Sequence, residues 1–229
     1  MLYEFEQVTV AHNGTTILNG VTAAVPEAGI TCVVGPSGSG KTTLLRLCNR
    51  LEVPASGVVR FQGADVSTMD PLALRRQAGM VFQRPTLFAG TVRDNLLVAA
   101  PGAAEVEMLQ ALASAQLDGD FLDRTADNLS GGEAQRACVA RTLIAGPEVI
   151  LFDEATSSID AGPRARLEET ARNLATDSMA ILWVTHDLAQ ALRLADHLLV
   201  VLRGKVEFDG PPSALDGAAG SAREFLDAR

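Results

Sequence analysis

Positive charge is scarce in this chain. Nineteen Lys and Arg face twenty-eight Asp and Glu, a formal net charge of -9 with a pI near 4.8. That balance argues against an electropositive surface for nucleic acid or anionic lipid, and it requires any phosphate site to be local. Long hydrophobic runs are also missing: none approaches the roughly 18 to 20 residues that span a bilayer. The start, MLYEFEQVTV, lacks the basic and apolar regions of a signal peptide, so a soluble chain that stays inside the cell is expected. Cysteine is sparse as well. Cys32, Cys48 and Cys138 are odd in number, far apart and set among apolar neighbours, which suits reduced packing residues rather than disulfides or metal ligands. There is no internal repeat, low-complexity tract or long linker. With 229 residues, 47% hydrophobic and 21% charged, the chain can bury a sizeable core as one domain.

Short apolar runs alternate with longer periodic segments. VVRFQ, MVF, VILFD, MAILWV and HLLVVL read as strands, several apolar throughout, as strands covered on both faces are. The first thirty residues differ: YEFEQVTV, TTILNGV and the segment up to Pro26 predict an antiparallel patch with turns at His12-Asn13-Gly14 and Asn19-Gly20. From about Arg84 to Asn128 the pattern turns helical, with helices expected near 91–98 and 105–117. The fold class is therefore α/β with a mainly parallel sheet.

Three stretches carry chemistry. The first is GPSGSGKTT, formed by Gly35, Pro36, Ser37, Gly38, Ser39, Gly40, Lys41, Thr42 and Thr43, between the apolar run ITCVV and LLRLCNR. It fits G-x-x-x-x-G-K-[ST], with Gly35, Gly40, Lys41 and Thr42 at the fixed positions. Glycines let consecutive backbone N–H groups surround phosphates at the positive N-terminus of the helix that follows. Lys41 would reach the β- and γ-phosphates and Thr42 would ligate Mg²⁺. A glycine turn that binds nothing is the plainer reading, but the strand before and the helix after fit the phosphate loop.

The second stretch is VILFDEATSSID. At the end of an apolar strand beside the ligand crevice of an α/β sheet, Asp153 can bind Mg²⁺ through water and Glu154 can polarise a water aimed at the γ-phosphate. The third is NLSGGEAQR. Ser130 and Glu133 form an S-x-x-E capping box at the start of a helix, while Gly131 and Gly132 cost helix stability by roughly 1 kcal/mol each against alanine. Their bared amides make a second phosphate-binding surface.

These segments, in this order, resemble the Walker A, signature and Walker B motifs of ATP-binding-cassette (ABC) ATPases, and the resemblance covers nearly the whole chain. Gln83 in MVFQRP falls at the Q-loop glutamine, Asp160 at the D-loop aspartate and His186 in LWVTHD at the switch histidine; His197 is expected to be structural. The resemblance implies a P-loop core over 1–83 and 129–229, with the antiparallel patch included, and a helical subdomain over 84–128. It further implies a head-to-tail dimer of two copies. Each ATP would lie between one chain's Lys41 and the other's Ser130 and Gly132, with His186 helping to fix Glu154, Gln83 joining the Mg²⁺ site and Asp160 serving communication between subunits. Aligning TILNGV places His12 where the family stacks an aromatic on adenine. Glu133 stands for the commoner signature glutamine and Ala155 for the frequent proline.

A lone cassette with no inserted coiled coil is similar to the ATPase subunit of a transporter whose membrane permease is a separate polypeptide. Such a subunit works peripherally on the cytoplasmic face of the inner membrane. The segments DVSTMDPLALRRQAGMVFQRPTLFAGTVRDNL and ILWVTHD are similar to those of bacterial iron-exporting ABC systems. A cytosolic ABC ATPase of an assembly or division machinery, such as iron–sulfur assembly, is the other reading. A third is a nucleotide-binding scaffold without turnover, against which Glu154 and His186 count.

Overall fold

The computed structural model describes residues 1–157, 160–176, 179–217, 220 and 225. Strands β1 (Tyr3–His12) and β2 (Thr15–Val25) are joined by Asn13 and Gly14, both at positive φ (49° and 78°), as a type I′ hairpin turn requires. The second turn expected at Asn19-Gly20 does not form; those residues lie inside β2. Pairing advances from Val8↔Val21 to Val10↔Leu18, three residues on β2 against two on β1, so Asn-Gly is taken up as a bulge. The bulge keeps both Leu18 and Val21 buried, whereas a turn would have reversed the chain away from β1. A bulge at Gln7 (φ 51°) does the same in β1, moving the buried phase from Tyr3 and Phe5 to Val8 and Val10.

The chain continues through β3 (Gly29–Val34), α1 (Lys41–Leu47), β4 (Ser56–Phe61), β5 (Ala64–Asp65), α2 (Pro71–Gln77) and β6 (Ala78–Val81). After these come α3 (Val92–Ala99), α4 (Glu105–Ser114), α5 (Gly131–Leu143), β7 (Val149–Asp153), α6 (Ala161–Thr176), β8 (Ala180–Thr185), α7 (Leu188–Leu194), β9 (His197–Leu202) and β10 (Lys205–Gly210). One sheet is antiparallel in the order β2-β1-β4-β5. The other has the order β10-β9-β3-β8-β7-β6, parallel except for β10 at its edge. This is the expected architecture. β10 had no apolar run to announce it, because KVEFDG alternates between exposed and half-buried residues at a sheet edge.

The apolar strands are buried on both faces, which accounts for their lack of alternation. Ile30, Cys32, Val34, Ile150, Phe152, Ile181 and Trp183 turn to one side, and Phe152 packs on Trp183 with ring centroids 4.6 Å apart. Val33, Val149, Leu151, Leu182 and Val184 turn to the other, against α1 and the antiparallel sheet. Leu96, Met108 and Leu112 of the helical segment join the first of these two cores. All three cysteines are buried, and burial pushes the Cys32 and Cys48 thiols far above their ordinary range, as packing residues require. β3 lies between β9 and β8, and the crevice at its carboxyl end is where such sheets hold ligands.

Candidate active site

β3 ends at Val34 and the loop 35–40 carries the chain into α1, whose N-cap is Gly40. Residue 35 must be glycine, because a Cβ there would sit 2.1 Å from the Val201 carbonyl oxygen of β9. Ser37 and Gly38 are exposed at the loop's outer turn, and Thr43 is half-buried in the first turn of α1. Lys41 is buried, and its Nζ donates to the carbonyl oxygens of Gly35 (3.0 Å) and Pro36 (2.9 Å) and lies 3.8 Å from Glu154 Oε1. The ammonium group is thus held inside the curve of the loop. Ser39 Oγ is buried without a hydrogen-bond partner among the described residues. An orphaned hydroxyl costs on the order of 1–3 kcal/mol, and a phosphate oxygen is a partner that would satisfy it.

Two carboxylates meet this loop from the end of β7. Asp153 Oδ1 accepts from Thr42 Oγ1 at 2.7 Å. Burial raises the Asp153 carboxyl above its ordinary pKa, while the Thr42 hydrogen bond and the nearby Arg46 and Lys41 pull in the opposite direction. A hydroxyl and a carboxylate side by side form a hard oxygen set that fits Mg²⁺, which completes its octahedron with water and phosphate oxygens. Among the described residues no three His, Cys, Asp or Glu side chains cluster as a protein-only metal cage would need.

Glu154 adopts a left-handed conformation (φ 48°), at a cost of about 1–2 kcal/mol for a residue with a Cβ. Its N–H donates to Val184 O of β8 at 3.1 Å, which fixes the turn, and its Oε2 lies 3.1 Å from His186 Nδ1. The two residues leave the adjacent strands β7 and β8 at the same end, and this brings together side chains 32 positions apart. Glu154 therefore touches both the histidine and the ammonium, the arrangement expected of a carboxylate that polarises water next to bound phosphate.

Of the remaining expected site residues, Gln83 bonds beside this centre, while Ser130, Asp160 and His12 make their contacts elsewhere. Gln83 follows β6, and its Nε2 donates to Ser157 Oγ at 2.9 Å, just beyond Glu154. Ser130 caps α5: its Oγ accepts from Glu133 N at 3.4 Å while Glu133 Oε2 accepts from Ser130 N at 2.8 Å. These bonds hold the Glu133 carboxyl below its ordinary pKa. The two signature glycines differ. A Cβ on Gly131 would meet open space, but one on Gly132 would sit 2.6 Å from Pro163 Cβ of α6, so Gly132 answers a packing demand that capping does not explain. Asp160 is exposed at the start of α6, where its carbonyl oxygen accepts from Arg164 N; Ser158 and Ile159 beside it lie outside the described residues. His12 ends β1, half exposed, with Nε2 2.9 Å from Glu52 Oε2. His197 is structural, 2.7 Å from Asp209 Oδ1, whose other oxygen accepts from Ala24 N.

Some residues at the centre gave no signal in the sequence. Thr156, Ser157, Arg164 and Gln190 line, with Glu154 and His186, a small polar cavity of about 60 Å³. Thr156 and Ser157 sit in the VILFDEATSSID stretch without an assigned role, whereas Arg164 and Gln190 belong to no motif and are gathered only by the packing of α6 and α7 beneath the site. A larger cleft of about 780 Å³, lined by Glu4, Glu27, Gln62 and Glu148 among others, has no residue in common with the site.

A phosphate loop after β3 and a carboxylate pair after β7 in such a sheet define a P-loop nucleoside triphosphatase. The sequence profile of the family described as ABC transporter matches residues 18–157, and the chain belongs to that family and carries its ATPase domain. It is 41% identical over 220 residues to Protein STAR1 of Oryza sativa, covering 93% of this chain and 64% of that protein. It is 39% identical to the Mycobactin import ATP-binding/permease protein IrtB of Mycolicibacterium thermoresistibile, covering 97% of this chain and 40% of that one. The chain thus spans less than two thirds of each of these relatives. Among solved structures it is similar to a bacterial Atm1-family ABC exporter with ATP bound (TM-score 0.86, 29% identity), over 99% of this chain and 41% of that chain.

Proposed function

We propose that this chain is the ATP-hydrolysing subunit of a transporter, working as a head-to-tail pair of copies with a separate membrane permease. The observation that carries the reading is the Glu154 carboxylate held between His186 Nδ1 (3.1 Å) and Lys41 Nζ (3.8 Å) at the mouth of the phosphate loop. Lys41 and the backbone N–H groups of residues 37–43 hold the β- and γ-phosphates, with Ser39 Oγ donating to a phosphate oxygen. Thr42, Asp153 and Gln83 hold Mg²⁺, which when bound neutralises charge on the phosphate oxygens. Glu154 accepts the proton of the attacking water, and His186, touching the same carboxylate, orients it and contacts the γ-phosphate. His12, pinned by Glu52, stacks on adenine.

Ser130, Gly131 and Gly132 of one copy close over the nucleotide of the other, a reading supported by the exposed Ser130 and Gly131 at the α5 N-terminus. Asp160 lies at this joint. The helical segment 84–128 acts as a subdomain beside Gln83 that receives a short helix of the permease; the exposed Phe82 and Phe88 flank that position. No helix among the described residues is long and apolar enough to cross a membrane; the proposed permease partner is what would hold the chain on the cytoplasmic face. A relative that joins ATP-binding and permease parts in one protein supports transport over an assembly role. Metal export, with iron as the candidate, rests on the similarity of 65–96 to iron-exporting systems.

Phosphate release from ATP by the purified chain, with and without Mg²⁺, tests the chemistry. Release that needs Mg²⁺ and disappears in Glu154→Gln is the expected result; release unchanged in that variant removes Glu154 from the role.

A further inference from the structure

Beneath the two loops that carry Glu154 and His186 lies one amide that bonds into several surrounding elements. Gln190 is 1% exposed in the first turn of α7, where its N–H donates to the capping carboxylate of Asp187 at 3.0 Å. Its side chain points away from solvent into a polar pocket of the core. Nε2 donates to Thr156 Oγ1 (2.9 Å) and to Glu168 Oε1 of α6 (2.8 Å), and Oε1 accepts from the Trp183 indole Nε1 of β8 (3.4 Å).

The chemistry of these partners fixes which way the amide faces. An indole N–H can only donate, so it requires the amide oxygen; an ionised carboxylate can only accept, so it requires the amide nitrogen. A side chain with one orientation and three partners in a region of low dielectric is a rigid strut. It joins Thr156, two residues after Glu154, to the helix that begins two residues after His186. On the solvent side Gln83 Nε2 donates to Ser157 Oγ, so the segment 154–157 is gripped from both sides.

We propose that Gln190 is a positioning residue for hydrolysis, holding the Glu154 turn and the His186 loop at the separation that keeps their side chains in contact. This rests on the roles given above to Glu154 and His186. The residue does not touch the nucleotide, so it acts through the geometry of the pair. Misplacement of reacting groups by about 1 Å costs up to about a hundredfold in rate, and loss of the strut lets the His186 loop draw away from Glu154.

The test uses the full purified chain. Gln190→Met keeps length and volume but removes the amide; Thr156→Val removes only the hydroxyl at the far end. Each is measured alone and in a His186→Ala background for ATP turnover, KM and thermal unfolding. The expected result is a fall in kcat of about ten- to a hundredfold with KM within about twofold, and no further fall from Gln190→Met once His186 is alanine, because the effect passes through that histidine. Wild-type kcat in both Gln190→Met and Thr156→Val overturns the proposal. An equal loss with and without His186 overturns it too, since that is the additive signature of general destabilisation. If Gln190→Met does not fold, Thr156→Val carries the same pair of outcomes. A His186→Ala protein with unchanged turnover overturns both this proposal and the role given to His186, whereas a loss in His186→Ala with none in the strut variants overturns the positioning alone.

Discussion

Asp153→Asn should make the nucleotide-free protein more stable while removing its response to Mg²⁺. Asp153 is only 6% exposed, and burial, the largest influence on it, raises its carboxyl above the ordinary value of 3.8. A carboxyl raised in the folded state binds more protons there than in the unfolded chain. Stability therefore falls as pH rises from 3.8 through the folded value, and at neutral pH the full cost of the buried charge is present. Asparagine has nearly the same shape, and its oxygen can still accept from Thr42 Oγ1. A higher midpoint than wild type is expected at pH 7, the gain shrinking towards zero as pH falls to 3.8. With Mg²⁺ and ATP at about a hundred times Kd, wild type should gain about 2.7 kcal/mol, and the variant should lose the part of that gain which depends on metal. Thermal unfolding followed by circular dichroism across pH, with ATP plus Mg²⁺ or plus a chelator, measures all of this. A variant less stable than wild type without ligand would refute the electrostatic argument, and one that keeps the full Mg²⁺-dependent gain would remove Asp153 from the metal site.

Other expectations are quickly checked. His12→Tyr should tighten ATP binding by about 0.5–1.5 kcal/mol, the worth of an aromatic pair, and His12→Ala should weaken it; calorimetric titration with ATP decides, and affinity unchanged in both takes His12 out of the site. Gly132→Ala should cost about 1–3 kcal/mol of stability because its Cβ would press on Pro163. Gly131→Ala, facing open space, should raise the melting temperature by roughly 2–4 °C yet slow turnover, and wild-type turnover there would mean its amide is not approached by phosphate. Phe88→Glu, at a residue 53% exposed, should abolish coupled transport in reconstituted vesicles while sparing basal hydrolysis; lost hydrolysis in the isolated chain would make Phe88 part of the core.

Much of this molecule could be read from sequence because its chemistry is local. The phosphate loop, the Asp153–Glu154 pair and the Ser130 cap are contiguous stretches whose backbone geometry follows from their own residues, and the buried strands declared themselves by unbroken apolar runs. Asn19-Gly20 misled because a turn signal and a bulge signal share residues, and only the pairing of Leu18 and Val21 with β1 decides between them. The second role of Gly132 needed Pro163, thirty-one positions away, and Gln190 needed partners from three other elements. Such residues are placed by packing between elements, which leaves no mark of spacing or composition on the chain.

The central claim is that Glu154 drives hydrolysis within a nucleotide shared by two copies. Glu154→Gln keeps the shape and hydrogen bonding of the side chain but cannot take the proton, so phosphate release should fall by roughly 10²- to 10⁴-fold, while ATP remains bound and holds two chains together. The net charge of -9 on each chain opposes association, but at physiological salt the screening length is about 8 Å. Size-exclusion chromatography of Glu154→Gln with saturating ATP and Mg²⁺ should show a dimer that adding Ser130→Arg dissolves, with each monomer still binding ATP. A Glu154→Gln protein that stays monomeric at saturating ATP and releases phosphate at the wild-type rate would contradict the account.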